Sequence, residues 1–208
     1  MKRAVALVAA GSAVVLAAGC SGESAGQPEP DPTSSASSSA TPPSTDGSVG
    51  DSDLPHSGAP EVSNPLPESV LSGDPCEALT RSQLEWALGS AVPGERRDID
   101  MLGPRCSWDD DGGGFTLTFL TATRQGLSII YSNNQDGGRR TLTEVEPVHD
   151  LPTITLSEER IACSAAVGLA DEYAVLVNVT LGPGKDTDAC DSALRLSDMV
   201  VGNLKDKA

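Results

Sequence analysis

Positive charge is scarce in this chain. Lys and Arg number 14 against 30 Asp and Glu, and neither Lys nor Arg occurs between Ala4 and Thr80. Nucleic acid is therefore not an expected partner, because binding phosphates requires a basic surface that releases their counterions. Histidine is almost absent, with only His56 and His149 in the whole chain. Aromatics are equally few: Trp86, Trp108, Phe115, Phe119, Tyr131 and Tyr173 suffice for a small core and leave little for a sugar-stacking platform. No Gly-x-Ser-x-Gly elbow, His-Glu-x-x-His pair or Walker loop is present. No close Cys-x-x-Cys pair offers a zinc site. These gaps lead to the expectation of a non-enzymatic protein without catalytic residues, metal or cofactor.

The N-terminus carries a strong signal. Lys2 and Arg3 precede an uncharged, largely apolar run from Ala4 to Ala18, followed by Leu16-Ala17-Ala18-Gly19-Cys20. A helical run of about 15 residues spans roughly 22 Å, short of the ~30 Å hydrocarbon core, which suits a signal peptide better than an anchor. Small residues before Cys20 open the bond to a signal peptidase and leave the thiol free to carry diacylglycerol. Ala17 departs from the usual lipobox, which more often has Leu there. Residues 1–19 are thus expected to be a signal peptide and Cys20 the lipidation site. Two acyl chains, each CH₂ contributing ~0.8 kcal/mol, would hold the protein on the extracytoplasmic face of the cell membrane. Loss of Lys2 and Arg3 takes the basic residues to 12 and the formal charge from −16 to −18.

From Ser21 to Gly73, Ser, Pro, Gly, Thr and Asp dominate, with runs such as Thr33 to Ser39. Such a composition buries too little apolar area to offset chain entropy. Residues 20–73 are therefore expected to be a lipidated, disordered tether with a root-mean-square span of ~40 Å. Residues 74–208 form the expected globular domain, large enough for one modest core.

Within that domain the pattern predicts short helices at Pro75 to Leu79 and at Arg81 to Leu88, the second capped by Thr80 and closed by Gly89. A strand at Arg105 to Asp110 places Cys106 and Trp108 on one side, and a turn leads to a strand from Phe115 to Thr123. There Phe115, Leu117 and Phe119 alternate with threonines, the period of a sheet with one buried face. A helix is predicted over Gln125 to Asn133, and strands over Leu142 to Val148, Ile161 to Val167 and Tyr173 to Leu181, with a short one around Thr153 to Leu156. Asp188 to Leu204 reads as an amphipathic helix with Ala193, Leu196, Val200 and Leu204 inward. With no βαβ alternation, the expected fold class is α+β: one antiparallel sheet packed against N- and C-terminal helices.

The four cysteines of the domain, Cys76, Cys106, Cys163 and Cys190, read as two disulfides in an oxidising compartment. Three pairings exist. Cys76 with Cys106 and Cys163 with Cys190 are preferred, since each would pin a helix to the strand it packs on. A closed loop of about 30 residues gives up to ~3.5 to 4 kcal/mol per bridge.

Asp74-Pro75-Cys76-Glu77-Ala78-Leu79-Thr80, then Cys106-Ser107-Trp108, then a mid-strand Cys163, then Cys190-Asp191-Ser192-Ala193 form a combined pattern. It resembles that of the actinobacterial secreted lipoproteins grouped as domain of unknown function 3558, from Asp74 to near the C-terminus. The resemblance implies an actinomycete envelope and supports the preferred pairing. It carries over no catalytic residue.

The remaining chemistry-bearing groups have ordinary explanations. His149 lies in a turn beside Asp150, and Gly182-Pro183-Gly184-Lys185 is too short for a phosphate loop. Asp109-Asp110-Asp111 with its glycines lacks an acidic twelfth position, where Leu120 stands, so calcium is not expected. The pairs Glu158 and Glu159, and Asp171 and Glu172, mark strand connections, and Asn178-Val179-Thr180 lies within a predicted strand. The expected function is a non-catalytic extracytoplasmic binding, sensing or interaction domain, its partner a cell-envelope protein or a small apolar ligand between sheet and helix. The alternative is a hydrolase using carboxylates such as Asp109 or Asp111.

Overall fold

A computed structural model describes residues 53–110, 113–135, 140–158, 161–182, 184 and 187–208, all within the compact unit Gly47–Ala208. Seven strands form one wholly antiparallel sheet: β1 (Glu95–Ile99), β2 (Gly103–Asp110), β3 (Gly113–Leu120), β4 (Thr141–Val148), β5 (Leu151–Glu158), β6 (Ala162–Gly168) and β7 (Ala174–Leu181). Their order is β1-β2-β3-β7-β6-β5-β4. Two hairpin meanders, β1 to β3 and β4 to β7, thus join through the β3–β7 pair, and the chain crosses from the centre to the far edge between β3 and β4. That crossover contains helix α2 (Ser128–Asn134), while α1 (Arg81–Leu88) precedes the sheet and α3 (Ala189–Lys205) ends the chain. The expected α+β class, with one antiparallel sheet, flanking helices and two disulfides, is the observed one.

Cross-strand register explains which face is covered. Trp108 on β2 pairs with Phe115 on β3, which pairs with Val179 on β7, which pairs with Cys163 on β6. The next rows align Cys106, Leu117, Val177 and Ala165, and then Phe119, Val175 and Val167. Every one of these side chains is buried. Fully burying each large one stabilises by about 1.5–3 kcal/mol, so this face is the main core. The Trp108 and Phe115 rings stack at 4.8 Å between centroids. At Gly94 a Cβ would stand 2.4 Å from Cys106 Sγ and 2.7 Å from Trp108 Nε1, so only glycine lets the chain pass there.

The helices close this face. At the start of α1 the Thr80 hydroxyl accepts from Gln83 N at 3.3 Å and Gln83 Oε1 accepts from Thr80 N at 2.8 Å, a reciprocal capping box. Gly89, at φ 82°, ends the helix in the left-handed conformation that suits glycine. Helix α3 is capped by Asp188, whose carboxylate accepts from Cys190 N at 2.7 Å. It buries Ala193, Leu196, Val200 and Leu204 as the periodicity predicts, together with Ser197 and Val201, and packs on β6 and β7. Among the described residues no helix is long and apolar enough to cross a membrane.

Three expectations need correction. The domain does not begin at Asp74. Val62, Val70 and Leu71 are buried in the main core, and Leu66 N donates to Leu169 O at 2.8 Å. Tyr173 Oη donates to Leu66 O, Val62 N donates to Asp171 Oδ1 at 2.9 Å, and Glu68–Leu71 forms a 3-10 turn. These few apolar residues, set in a Ser/Pro-rich stretch, make a strap whose burial comes from the rest of the domain. The second correction is β1, which was not foreseen. Its sequence, Glu-Arg-Arg-Asp-Ile, is a charged edge strand exposed on both faces, so it lacks apolar alternation. Third, the short strand expected near Thr153 is the full eight-residue β5. Residues 1–52, which include the expected signal peptide and the expected lipidation site Cys20, lie outside the described residues.

Candidate functional site

The disulfide sites are assembled as preferred. Cys76 bonds Cys106, joining the 3-10 turn Pro75–Glu77 to β2, and Cys163 bonds Cys190, joining β6 to the first turn of α3. The Cα atoms stand 5.1 and 5.0 Å apart. Both cystines belong to the covered face and its helices, so they hold the scaffold rather than line an opening.

The opposite face of the sheet is covered only in part. Helix α2 lies over one portion, where Leu127, Ile130 and Tyr131 meet Leu120, Ile154, Leu156, Ala166, Ala174 and Leu176. Polar bonds hold α2 in place. Tyr131 Oη donates to Glu144 Oε1 on β4 at 2.7 Å, Ser128 Oγ accepts from His56 N at 3.0 Å, and Gln135 Nε2 donates to Ser57 O at 3.1 Å. Burial first, and then the neighbouring Glu144 carboxylate, push the Tyr131 phenol well above its usual range. His56, expected in the tether, thus forms part of the strap that supports α2.

Beside α2 the sheet face remains open as a groove of about 430 Å³, within the ~300–1,000 Å³ typical of ligand sites. Leu120, Leu156 and Leu176 make an apolar floor, with Ile129, Ile130 and Leu102 along the sides. One end is polar and holds Asn133, Asn134, Arg140, Glu158 and Ser164. Here the sheet carries a hydrogen-bonded ladder across three adjacent strands. Asn178 Nδ2 on β7 donates to Thr116 Oγ1 on β3 at 3.1 Å, Ser164 Oγ on β6 donates to Asn178 Oδ1 at 2.5 Å, and Arg140 Nη1 donates to Ser164 Oγ at 3.4 Å. Arg140 Nε also meets Glu158 Oε2 at 3.5 Å. Both side chains of that pair are about half exposed, so the ion pair contributes little to stability.

A second cavity of about 220 Å³ lies on the main-core side, between α1, α3 and the ends of β3 and β7, beside Trp86, Leu88, Phe115 and Leu196. Like the groove beside α2, it lies between sheet and helix, where the sequence suggested a small apolar ligand. The groove is larger, and it alone of the two is lined by charged side chains.

The hydrolase alternative invoked Asp109 and Asp111. Asp109 is exposed on β2, and Asp111 lies outside the described residues. Among the described residues no group of three or more His, Cys, Asp or Glu converges as a metal site would require. His149 caps the β4–β5 hairpin and contacts Asp198 on α3, its Nε2 lying 3.1 Å from the backbone oxygen and 3.3 Å from Oδ1. Sequence reasoning missed Arg140, Ser164 and Leu176, and it set Asn178 aside. The available signal was the polar set Thr116, Ser164 and Asn178, which alternates with apolar residues on strands that are otherwise buried.

One antiparallel sheet, covered on one face by cystine-tied helices and half open on the other, defines a small disulfide-locked α+β domain. The chain belongs to the family described as Protein of unknown function (DUF3558), whose family model matches residues 15–203. The match reaches well N-terminal of Asp74, where the motif resemblance starts. No curated protein and no solved structure matches the chain.

Proposed function

We propose that this protein is an exported lipoprotein, anchored through Cys20 to the extracytoplasmic face of the cell membrane, whose domain is a non-catalytic binding module. The observation that carries the binding role is the groove beside α2, apolar on its floor and polar at one end. Apolar area there favours a ligand's body and convergent polar groups orient it, which is the usual division of labour in small-molecule sites. The anchor and the export rest on Lys2, Arg3, the apolar run and the small residues before Cys20. A formal charge of −16 before any cleavage keeps the domain soluble and away from an anionic bilayer. The carboxylate hydrolase has no specific observation in its favour.

The test is a native mass spectrum of the chain from residue 20 onward, with Cys20→Ser, secreted by an actinomycete host. An added mass that is lost on denaturation, and lost also in Leu176→Trp, which fills the groove, is the expected result. An added mass retained in Leu176→Trp would place the ligand elsewhere and refute the groove. For the anchor, Cys20→Ala should release the full-length protein into the medium, and continued membrane retention would refute it.

A further inference from the structure

Arginine placement on the open sheet face is unusual for so acidic a chain. Arg140 lines the polar end of the groove. Its Nε faces Glu158 and its Nη1 faces Ser164, both at long range, and Nη2 has no partner among the described residues. On the same face Arg97 of β1, whose Nη2 meets Glu95 Oε1 at 3.4 Å, stands directly opposite Arg105 of β2. Like charges in that cross-strand position repel one another and weaken a sheet. Arg105 is half-buried and has no hydrogen bond or ion pair among the described residues. It pairs in register with Thr118 of β3, which pairs with Leu176 of the groove floor. Between β2 and β6 lie three strand spacings, or about 14 Å. The apolar floor thus lies between one arginine at its polar end and a pair of arginines beyond its other side.

From this arrangement we infer that the groove takes an anionic single-chain amphiphile, its carboxylate or phosphate head at Arg140 and its apolar body along Leu156, Leu176 and Leu120. This rests on the groove being the binding site. Arg140 donates to the head in company with the side-chain amides of Asn133 and Asn134, while the Ser164–Asn178–Thr116 ladder holds Ser164 in place beneath the guanidinium. Arg105 adds a positive field that draws the anion to this face and against the charge of the rest of the chain, while the charge of Arg97 is offset by its ion pair with Glu95. The domain as a whole repels anions. Any preference for an anionic over a cationic head must therefore come from local placement.

Calorimetric titration of the chain from residue 20 onward, with Cys20→Ser, separates the possibilities. Four decyl compounds are compared below their micellar concentrations: decanoate, monodecyl phosphate, decyl glucoside and decyltrimethylammonium. The two anions are expected to bind at least about tenfold more tightly than the other two, the scale of one charge-assisted hydrogen bond. Arg140→Gln should abolish that preference without lowering the unfolding temperature, and Arg105→Gln should reduce it less. The tighter of the two anions identifies a carboxylate or a phosphate head. Binding of the glucoside as tight as that of the anions, unaffected by Arg140→Gln, would overturn the anionic head and leave the groove as the binding site. If no decyl compound binds, both fail. A groove closed by a second copy of the chain would appear as concentration-dependent dimerisation disrupted by Leu176→Trp, and it too would overturn the inference.

Discussion

Replacing Leu71 by Ala should strongly destabilise the domain, although Leu71 lies in a stretch whose composition reads as a tether. Its side chain is 5% exposed and belongs to the main core. A buried Leu→Ala change costs about 2–5 kcal/mol, from lost transfer energy plus the cavity left behind. The surroundings are fixed by a disulfide at Cys76 a few residues on and by the sheet beneath, so collapse around the gap is limited. With about 3 kcal/mol lost and a urea dependence near 2 kcal/mol per M, the unfolding midpoint falls by about 1.5 M. Against a net stability of about 5–15 kcal/mol that shift is large. Val62→Ala removes two methyl-sized groups from a position 6% exposed and should cost about 1.5 kcal/mol. Urea unfolding without reductant, followed by fluorescence of the buried Trp108, measures both. A midpoint shift under about 0.2 M for Leu71→Ala would refute packing of the strap and restore Asp74 as the start of the fold.

Two further outcomes follow from the scaffold. Cys163→Ala with Cys190→Ala opens a loop of sequence separation 27, which loop-closure entropy values at about 3.5 kcal/mol. A loss below about 1 kcal/mol in chemical denaturation would contradict a stabilisation set by loop closure. Tyr131 is protonated in the fold to a higher pH than in the unfolded chain, because burial and Glu144 disfavour its phenolate. With the folded value raised above the ordinary value near 10, its contribution is complete below about pH 10 and is lost as pH climbs above it. Stability should therefore fall more steeply above pH 10 in the wild type than in Tyr131→Phe, and identical alkaline limbs would contradict the role given to this phenol.

The covered face was legible in the sequence because its signals are local. Phe115, Leu117 and Phe119 alternate, Ala193 to Leu204 repeat at helical spacing, Thr80 and Gly89 bracket α1, and each cysteine sits where a helix meets a strand. The strap and β1 were not legible, for opposite reasons. Val62, Val70 and Leu71 are too few to stand out among serines and prolines, and their burial depends on residues about a hundred positions away, such as Leu169 and Tyr173. Strand β1 carries charges on both faces because it guards the sheet edge, and edge protection erases the periodicity that reveals a strand. The groove was hidden for a third reason. Its floor comes from β3, β5 and β7, its polar end draws on β6 and its wall comes from α2, so Arg140, Ser164 and Leu176 become neighbours only through the β3–β7 and β6–β7 pairings.

The most direct test of the groove is an amide chemical-shift map of the chain from residue 20 onward, with Cys20→Ser, titrated with decanoate. Saturable shifts concentrated at Leu102, Leu120, Ile129, Ser164 and Leu176, and absent in Leu176→Trp, are the expected result. Shifts centred instead on Trp86, Leu88 and Leu196, or saturable binding that leaves the outer sheet face unperturbed, would contradict it.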